Sequence, residues 1–234
     1  MTGPTDIRTD EAVPPGAASL AATRFIDADN PRVQAFAAEH AGEGTDLERA
    51  VRLYYAVRDG IRYDPYRITL TAEGLRGSSC LENGYGFCIT KAAFLAAVAR
   101  AAGIPARLGF ADVRNHLATP RLLELMKTET FYYHGYVSLW LEGRWVKATP
   151  AFNIELCERF GVVPLEFDGR NDSIMHPFDT AGRRHMEYLD EHGLFEDLPY
   201  ETIVETFRTH YPVLVAGHVP QGDFHAEAAA ARQG

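Results

Sequence analysis

Cys88 stands where a glycine-containing loop runs into a long segment almost free of charge, in NGYGFCITKAAFLAAVARAAGIPAR, residues 83–107. A thiol attacks a carbonyl only as its thiolate. A cysteine in the first turn of a helix feels the positive end of the helix dipole, which lowers its pKa. The unpaired N–H groups at the same helix end can receive an oxyanion. The N–H of Cys88 itself is the first candidate donor, with Tyr85 or Asn83 as the second. Gly84 and Gly86 would let a substrate come close to the backbone there. Cys80 lies in a polar GSSC loop and reads as an incidental thiol. Cys157 falls on a short helix and reads as core filler. Three cysteines, an odd number with no CxxC pair, support neither a disulfide framework nor a thiolate zinc site.

The thiol needs a base. The chain has nine histidines, so only position can select one. His134 lies in YYHGY, a strand-like run, and is followed by Gly135. Strand periodicity puts His134, Tyr136, Ser138 and Trp140 on one face. A two-residue turn at Glu142-Gly143 pairs Leu141 with Arg144. That register sets Tyr136 opposite Thr149 and His134 opposite Ala151, so Thr149 and Asn153 share the face of His134 and lie diagonally from it. Thr149 can accept the ring N–H and fix the tautomer; Asn153, Asp168 and Asp172 are the alternatives. His116, His176, His185 and His192 mix with Asp168, Asp172, Asp179 and Glu187, but the spacing matches no metal-ligand motif. No metal or cofactor is expected.

These residues need elements to hold them. Asn30 and Pro31 open a helix over 31–40. Thr45 and Glu48 form a capping box for a second helix over 46–59. From Ile89 to Ala102 only Lys91 and Arg100 are charged, which predicts a helix buried on all sides. ARLGFADV reads as a strand, TPRLLELMK as a short helix capped by Thr119, and 130–153 as an aromatic-rich hairpin. A helix over 154–160 follows. Residues 162–193 mix Pro, Gly, Asp and His and read as a long irregular excursion that could cover the Cys88 cleft. Tyr132, Tyr133, Tyr136 and Trp140 could line an acyl or peptide groove, or simply pack the sheet. DLPYETIVETFRTHYP is a last helix. Residues 1–22 read as a disordered leader, 23–220 as one domain and 221–234 as a frayed tail.

With 234 residues, 46% of them apolar, the chain can bury a sizeable core. A net charge of −9 argues against nucleic acid and anionic membrane surfaces as partners. No apolar run reaches membrane-span length. The N-terminal residues lack the basic start and apolar stretch of a signal peptide. A cytoplasmic location is expected.

GFCITKAAFLAAVARAAGIPARLGF, followed by HGYVSLWLEGRWVKATP, resembles the core of the transglutaminase-like superfamily, and AVRLYYAVRDGIRYDPY resembles the segment that precedes that core. The resemblance covers roughly residues 25–153. It implies an α+β, papain-like fold with a central helix packed on an antiparallel sheet, and it carries the catalytic Cys and His onto Cys88 and His134. The family's Asp falls on Thr149, just before Pro150. The implied activity is cysteine-dependent acyl chemistry on an amide or thioester, by hydrolysis or by transfer to an amine, with a peptide, a protein or a small acyl-amide as substrate. The reading from a different class is an inactive module that keeps the groove to bind a peptide or partner.

Overall fold

Two capped helices begin the body of the chain in the computed structural model, which describes residues 8–9, 12–116, 118–174, 182, 185–216 and 222–231. In α1 (Pro31–Ala41) the Asn30 side chain accepts the Arg32 N–H at 2.9 Å. In α2 (Asp46–Gly60) the capping box closes both ways, Glu48 N–H to Thr45 Oγ1 and Thr45 N–H to Glu48 Oε2. Next come β2 (Arg62–Tyr63), α3 (Ser79–Asn83) and β3 (Tyr85–Gly86), preceded near the N-terminus by β1 (Arg8–Thr9). β2 and β3 pair in parallel, with Tyr63 opposite Gly86.

Helix α4 (Cys88–Ala101) is the centre of the molecule, and every residue from Cys88 to Arg100 is buried. Helices α1 and α2 pack on one side of it and the main sheet on the other. Its two charges are both used. Lys91 Nζ donates to the carbonyls of Arg58 at 2.8 Å and Ile61 at 2.6 Å, which satisfies backbone at the end of α2. Burial lowers the Lys91 ammonium to about 7. The Arg100 guanidinium donates to the carbonyls of Ala21, Ala106 and Glu196.

The rest of the chain runs through β4 (Ala106–Asn115), α5 (Pro120–Met126), β5 (Thr130–Leu141), β6 (Arg144–Ala148), α6 (Ile154–Phe160), β7 (Met186–Phe195), α7 (Tyr200–His210), α8 (Pro212–Val215) and α9 (Phe224–Ala231). The main sheet has the order β1-β7-β4-β5-β6, and its ladders are all antiparallel. The fold is therefore α+β, with a central helix on an antiparallel sheet. The β5–β6 hairpin turns at Glu142 (φ 49°) and Gly143 (φ 83°), as a two-residue turn with both central residues left-handed requires. Its ladder runs from Leu141 opposite Arg144 to Val137 opposite Ala148, the register expected from the turn.

Three expectations are corrected. Residues 186–193, read as part of an irregular excursion, belong to β7, a strand between β1 and β4. The described part of the leader is packed, not disordered: Ser19 is buried and donates to Glu196, and the Val13 carbonyl accepts the Trp145 indole N–H at 2.8 Å. The tail from Phe224 to Ala231 is a helix whose Phe224 and Ala228 are buried. Burial of those side chains offsets the chain entropy that would otherwise fray it.

The sheet face away from α4 has one tight spot. A Cβ on Gly109 would lie 2.1 Å from the Tyr136 ring on the neighbouring strand. Gly109→Ala should lower stability by about 3 kcal/mol, because Tyr136 is boxed in by the sheet. Urea unfolding at neutral pH checks this, and a cost under about 0.5 kcal/mol would mean the ring has somewhere to go.

Candidate active site

Cys88 is the first residue of α4 and its side chain is buried, at 6% exposure. The N–H groups of Gly135, Ile89 and Cys88 itself face the sulfur and favour the thiolate, but burial outweighs them and pushes the thiol up to about 11. The contact with Gly135 has a steric cause. A Cβ there would lie 3.1 Å from Ile89 Cα and 3.2 Å from the Cys88 carbonyl oxygen. A side chain there would crowd the first turn of α4, so glycine lets it seat closely on β5. That seating brings the sulfur to the residue next to His134.

His134 points to the sheet face opposite α4, since its neighbour Gly135 faces the helix. It is 2% exposed, and burial lowers its imidazole to about 4, with His185 as a second, like-charged influence. Its Nε2 is buried with no hydrogen-bond partner among the described residues. Thr149 Oγ1 is in the same condition. Thr149 follows Ala148, whose partner is Val137, so alternation puts its side chain on the His134 face. Among the described residues no hydrogen bond joins the Cys88 sulfur to the His134 ring, and in this resting arrangement burial keeps both groups neutral.

The bend before His134 is built in. Tyr133 has φ 54°, in the left-handed region that a tyrosine rarely adopts. Its N–H donates to Asp112 Oδ1 at 2.9 Å, and its ring stacks on His192 with centroids 4.0 Å apart. The β4–β5 register shifts between Ala111 and Val113 at the same level. Bulges of this kind re-aim side chains beside functional sites.

The other candidates are accounted for elsewhere. Asn153 Oδ1 accepts the Tyr63 N–H at 3.2 Å. Asp168 closes its own turn on the N–H groups of Arg170 and Asn171, which hold its carboxyl down to about 2. Asp172 accepts the Lys147 N–H. No carboxylate among the described residues therefore orients His134. Asn83 and Tyr85 line a separate polar cavity with Arg62, Asp64 and Arg67, not the one at Cys88. Gly86 is also corrected. A Cβ on it would meet Cys80 Sγ at 2.7 Å and Thr90 Oγ1 at 2.8 Å, so it serves packing and not substrate access. Cys80 itself is fully buried on α3, not a loop thiol. The described part of the excursion runs over α2 and the edge of β6, through Leu165, Phe167 and Ser173, and contributes nothing to the Cys88 cavity. His176 and Asp179 lie outside the described residues. Asp112, Asp190 and His192 have ligand atoms within 4.8 Å of one another. Asp112 Oδ1 already accepts from His192 Nε2 and from Tyr133, so the group reads as the anchor of the Tyr133 bend.

The cavity at Cys88 is lined by apolar and aromatic residues, among them Tyr63, Phe87, Met126, Tyr132, Phe207 and Tyr211. Among the described residues no charged side chain lines it. Three of its wall residues, Phe207, Tyr211 and Leu214, come from α7, α8 and the residue between them. Of the aromatic group expected to form a groove, only Tyr132 reaches it. Tyr133 is in the core, Tyr136 lies over Gly109, and Trp140 meets Trp145 on the far face. Tyr63, Phe207 and Tyr211 were not singled out by sequence reasoning, because no local pattern connects them to Cys88.

A buried neutral imidazole has a pH signature. His134 titrates near 4 when folded and near 6.5 when unfolded. The unfolded chain therefore binds the proton first as pH falls. The stability due to the neutral ring is complete above about 6.5 and is lost progressively toward 4, by about 3 kcal/mol. Urea unfolding at pH 7.5 and 4.5 should show this loss in the native protein and a smaller one in His134→Gln. Equal losses would place the acid sensitivity in other groups.

A buried central helix packed on an antiparallel sheet is the α+β arrangement of the papain-like, transglutaminase-core fold. The sequence profile of the transglutaminase-like superfamily matches residues 34–150, and the chain belongs to that superfamily. No curated protein matches it. Among solved structures, a candidate cysteine protease of Cytophaga hutchinsonii is similar at 15% identity and a TM-score of 0.44, over 77% of this chain and 55% of that one. A candidate protease of Parabacteroides distasonis is similar at 17% identity and a TM-score of 0.39, over 57% of this chain and 26% of that one. The chain thus spans about half of the first and a quarter of the second. Among the described residues no helix is long and apolar enough to cross a membrane.

Proposed function

We propose that the protein carries out cysteine-dependent acyl chemistry, with Cys88 as nucleophile and His134 as its base. The observation that carries this is the sulfur at the N-terminus of α4, with the backbone N–H groups of Gly135 and Ile89 turned on it and a cavity in front of it. The chemistry requires the His134 ring, which rests on the far face of the sheet, to swing to the sulfur; there it takes the thiol proton as the sulfur adds to the carbonyl. The same proton then goes to the departing amine or thiol, leaving an acyl-enzyme for water or an amine to discharge. Thr149 Oγ1 takes the place of the family's carboxylate. In the substrate complex it accepts the ring N–H and holds the tautomer without adding charge, and until then His134 is a weak base. Catalytic contacts often tighten only in the substrate complex. The apolar, uncharged lining favours a neutral acyl group over a charged one. An amide, a peptide or a thioester supplies such a group.

The test is direct acylation. Incubated with a short neutral acyl thioester, the protein should gain one acyl group, and peptide mapping should find it on Cys88 and on neither Cys80 nor Cys157. Acyl transfer to another site, or none, would remove the nucleophile from the scheme. The second reading is a binding module that uses the same cavity without turnover. It is favoured by the neutral Cys88 and His134 and by the absence of an orienting carboxylate among the described residues. It predicts that neutral acyl ligands bind equally well to the native protein and to Cys88→Ala, with no adduct formed.

A further inference from the structure

We infer that the polar cavity beside β2 is a binding site for a small zwitterion of the amino-acid kind, a second site distinct from the cavity at Cys88. It uses none of the groups that the acyl-enzyme reading needs. Its volume is about 290 Å³, close to the lower bound of small-molecule pockets. Three stretches far apart in the chain converge on it: Arg62, Asp64 and Arg67 from β2 and the residues after it, Asn83 and Tyr85 from the end of α3 and the start of β3, and Asp223 just ahead of α9. Alternation along residues 62–65 keeps the two cavities apart. Arg62 and Asp64 line the polar one, and Tyr63 and Pro65 line the apolar one that holds Cys88.

The charges in this cavity select the ligand. Two guanidiniums face two carboxylates, and each pair meets through a single contact. Arg62 Nη2 reaches Asp223 Oδ1 at 2.7 Å, and Arg67 Nε reaches Asp64 Oδ2 at 3.3 Å. The carboxylates are anchored by backbone. Asp64 Oδ1 accepts the Tyr66 N–H at 3.0 Å, and Asp223 Oδ1 accepts the N–H groups of His225 and Ala226 at 3.0 and 3.2 Å. The Ala226 N–H, with the Arg62 charge behind it, holds the Asp223 carboxyl below its usual range, so it stays ionised. The guanidiniums have donors to spare. Each has five N–H groups and gives one nitrogen to its carboxylate, and among the described residues neither makes another hydrogen bond. The Arg67 guanidinium lies over the Tyr85 ring, 4.9 Å from its centroid, which fixes its plane. A ligand with one charge would open a pair and leave the displaced partner facing a like charge. A zwitterion replaces what it opens. Its carboxylate takes the spare donors of Arg62 and Arg67, and its ammonium takes the Asp64 and Asp223 oxygens, as charge-assisted hydrogen bonds. A phosphate dianion would face both carboxylates and is disfavoured.

The test is isothermal titration of the full chain at low salt. The probes are glycine, β-alanine and γ-aminobutyrate, which differ only in the spacing of their charges. Butyrate, butylamine and inorganic phosphate are the controls. At least one zwitterion should bind with a Kd near or below about 1 mM, and about tenfold or more tighter than every control. Arg62 and Arg67 are both exposed, so Arg62→Gln and Arg67→Gln keep the fold. Each should weaken that zwitterion by on the order of tenfold. Arg170→Gln, outside the cavity, should leave its affinity unchanged. Cys88→Ala should also bind it like the native protein, so a failure of the acyl chemistry does not alter these outcomes. Butyrate or phosphate binding as tightly as the best zwitterion would make this an anion site and overturn the inference. No zwitterion binding at about 10 mM, or binding that survives both arginine variants, would overturn it as well.

Discussion

Cys88→Ala is expected to lose acyl turnover by on the order of 10⁴-fold or more, with the protein still folded. The size follows from what the residue supplies. Without the sulfur there is no covalent intermediate, and the remaining donors assist only an unaided attack by water. The cavity keeps its walls, so binding of a neutral acyl ligand should change little. Cys88→Ser is a sharper comparison, because it keeps a hydroxyl in the same place. A buried serine hydroxyl is far harder to ionise than a thiol, so it should be nearly as inactive as alanine. The measurement is single-turnover release from a neutral acyl thioester, read against background hydrolysis. Turnover in Cys88→Ala within tenfold of native would assign the chemistry to another group.

The largest expected loss of stability is at the other end of the same helix. Arg100→Leu should cost about 3–5 kcal/mol. Its guanidinium is fully buried and reaches three carbonyls, those of Ala21, Ala106 and Glu196, and the Glu196 carboxylate at 3.4 Å. Leucine leaves those oxygens dry and unpaired, each at a cost of about 1–3 kcal/mol where water cannot follow. Glu196 would still hold Arg107 at 2.7 Å, so its own charge stays paired. Urea unfolding of native and variant at pH 7 measures the difference. A loss under about 1 kcal/mol would mean that water replaces the guanidinium. The motif R-x-x-GIPAR thus reads physically: Arg100 and Arg107 meet at Glu196 and fasten the helix end, the start of β4, the strand-end segment and the packed leader together.

What the sequence discloses divides along physical lines. Local rules were legible: the Thr45–Glu48 box, the caps at Asn30 and Thr119, the turn at Glu142-Gly143 and hence the hairpin register. The uninterrupted apolar run of α4 was legible as a central helix. β7 was not, because its middle carries Leu189, Asp190 and Glu191 all exposed, and two register shifts against β4 break the alternation a strand should show. Two-residue strands such as β2 and β3 carry no periodicity to read. Asn153 was legible as a polar group near the hairpin's end, but its partner depended on where residues 62–63 come back in space. Cys88 and His134 could be singled out from their neighbours in the chain. The rest of the cavity wall could not, since Tyr63, Met126 and Phe207 meet there only through tertiary packing.

The shared origin of that wall has a consequence for how the protein could change. The sulfur and imidazole sit within residues 34–150, whereas Phe207, Tyr211 and Leu214 belong to a later stretch. On the proposed reading, reactivity and part of the selectivity lie on different lengths of polypeptide. If Cys88 is the nucleophile proposed, exchanging residues 200–215 for a differently shaped helical pair should change which acyl groups it accepts while leaving residues 34–150 untouched.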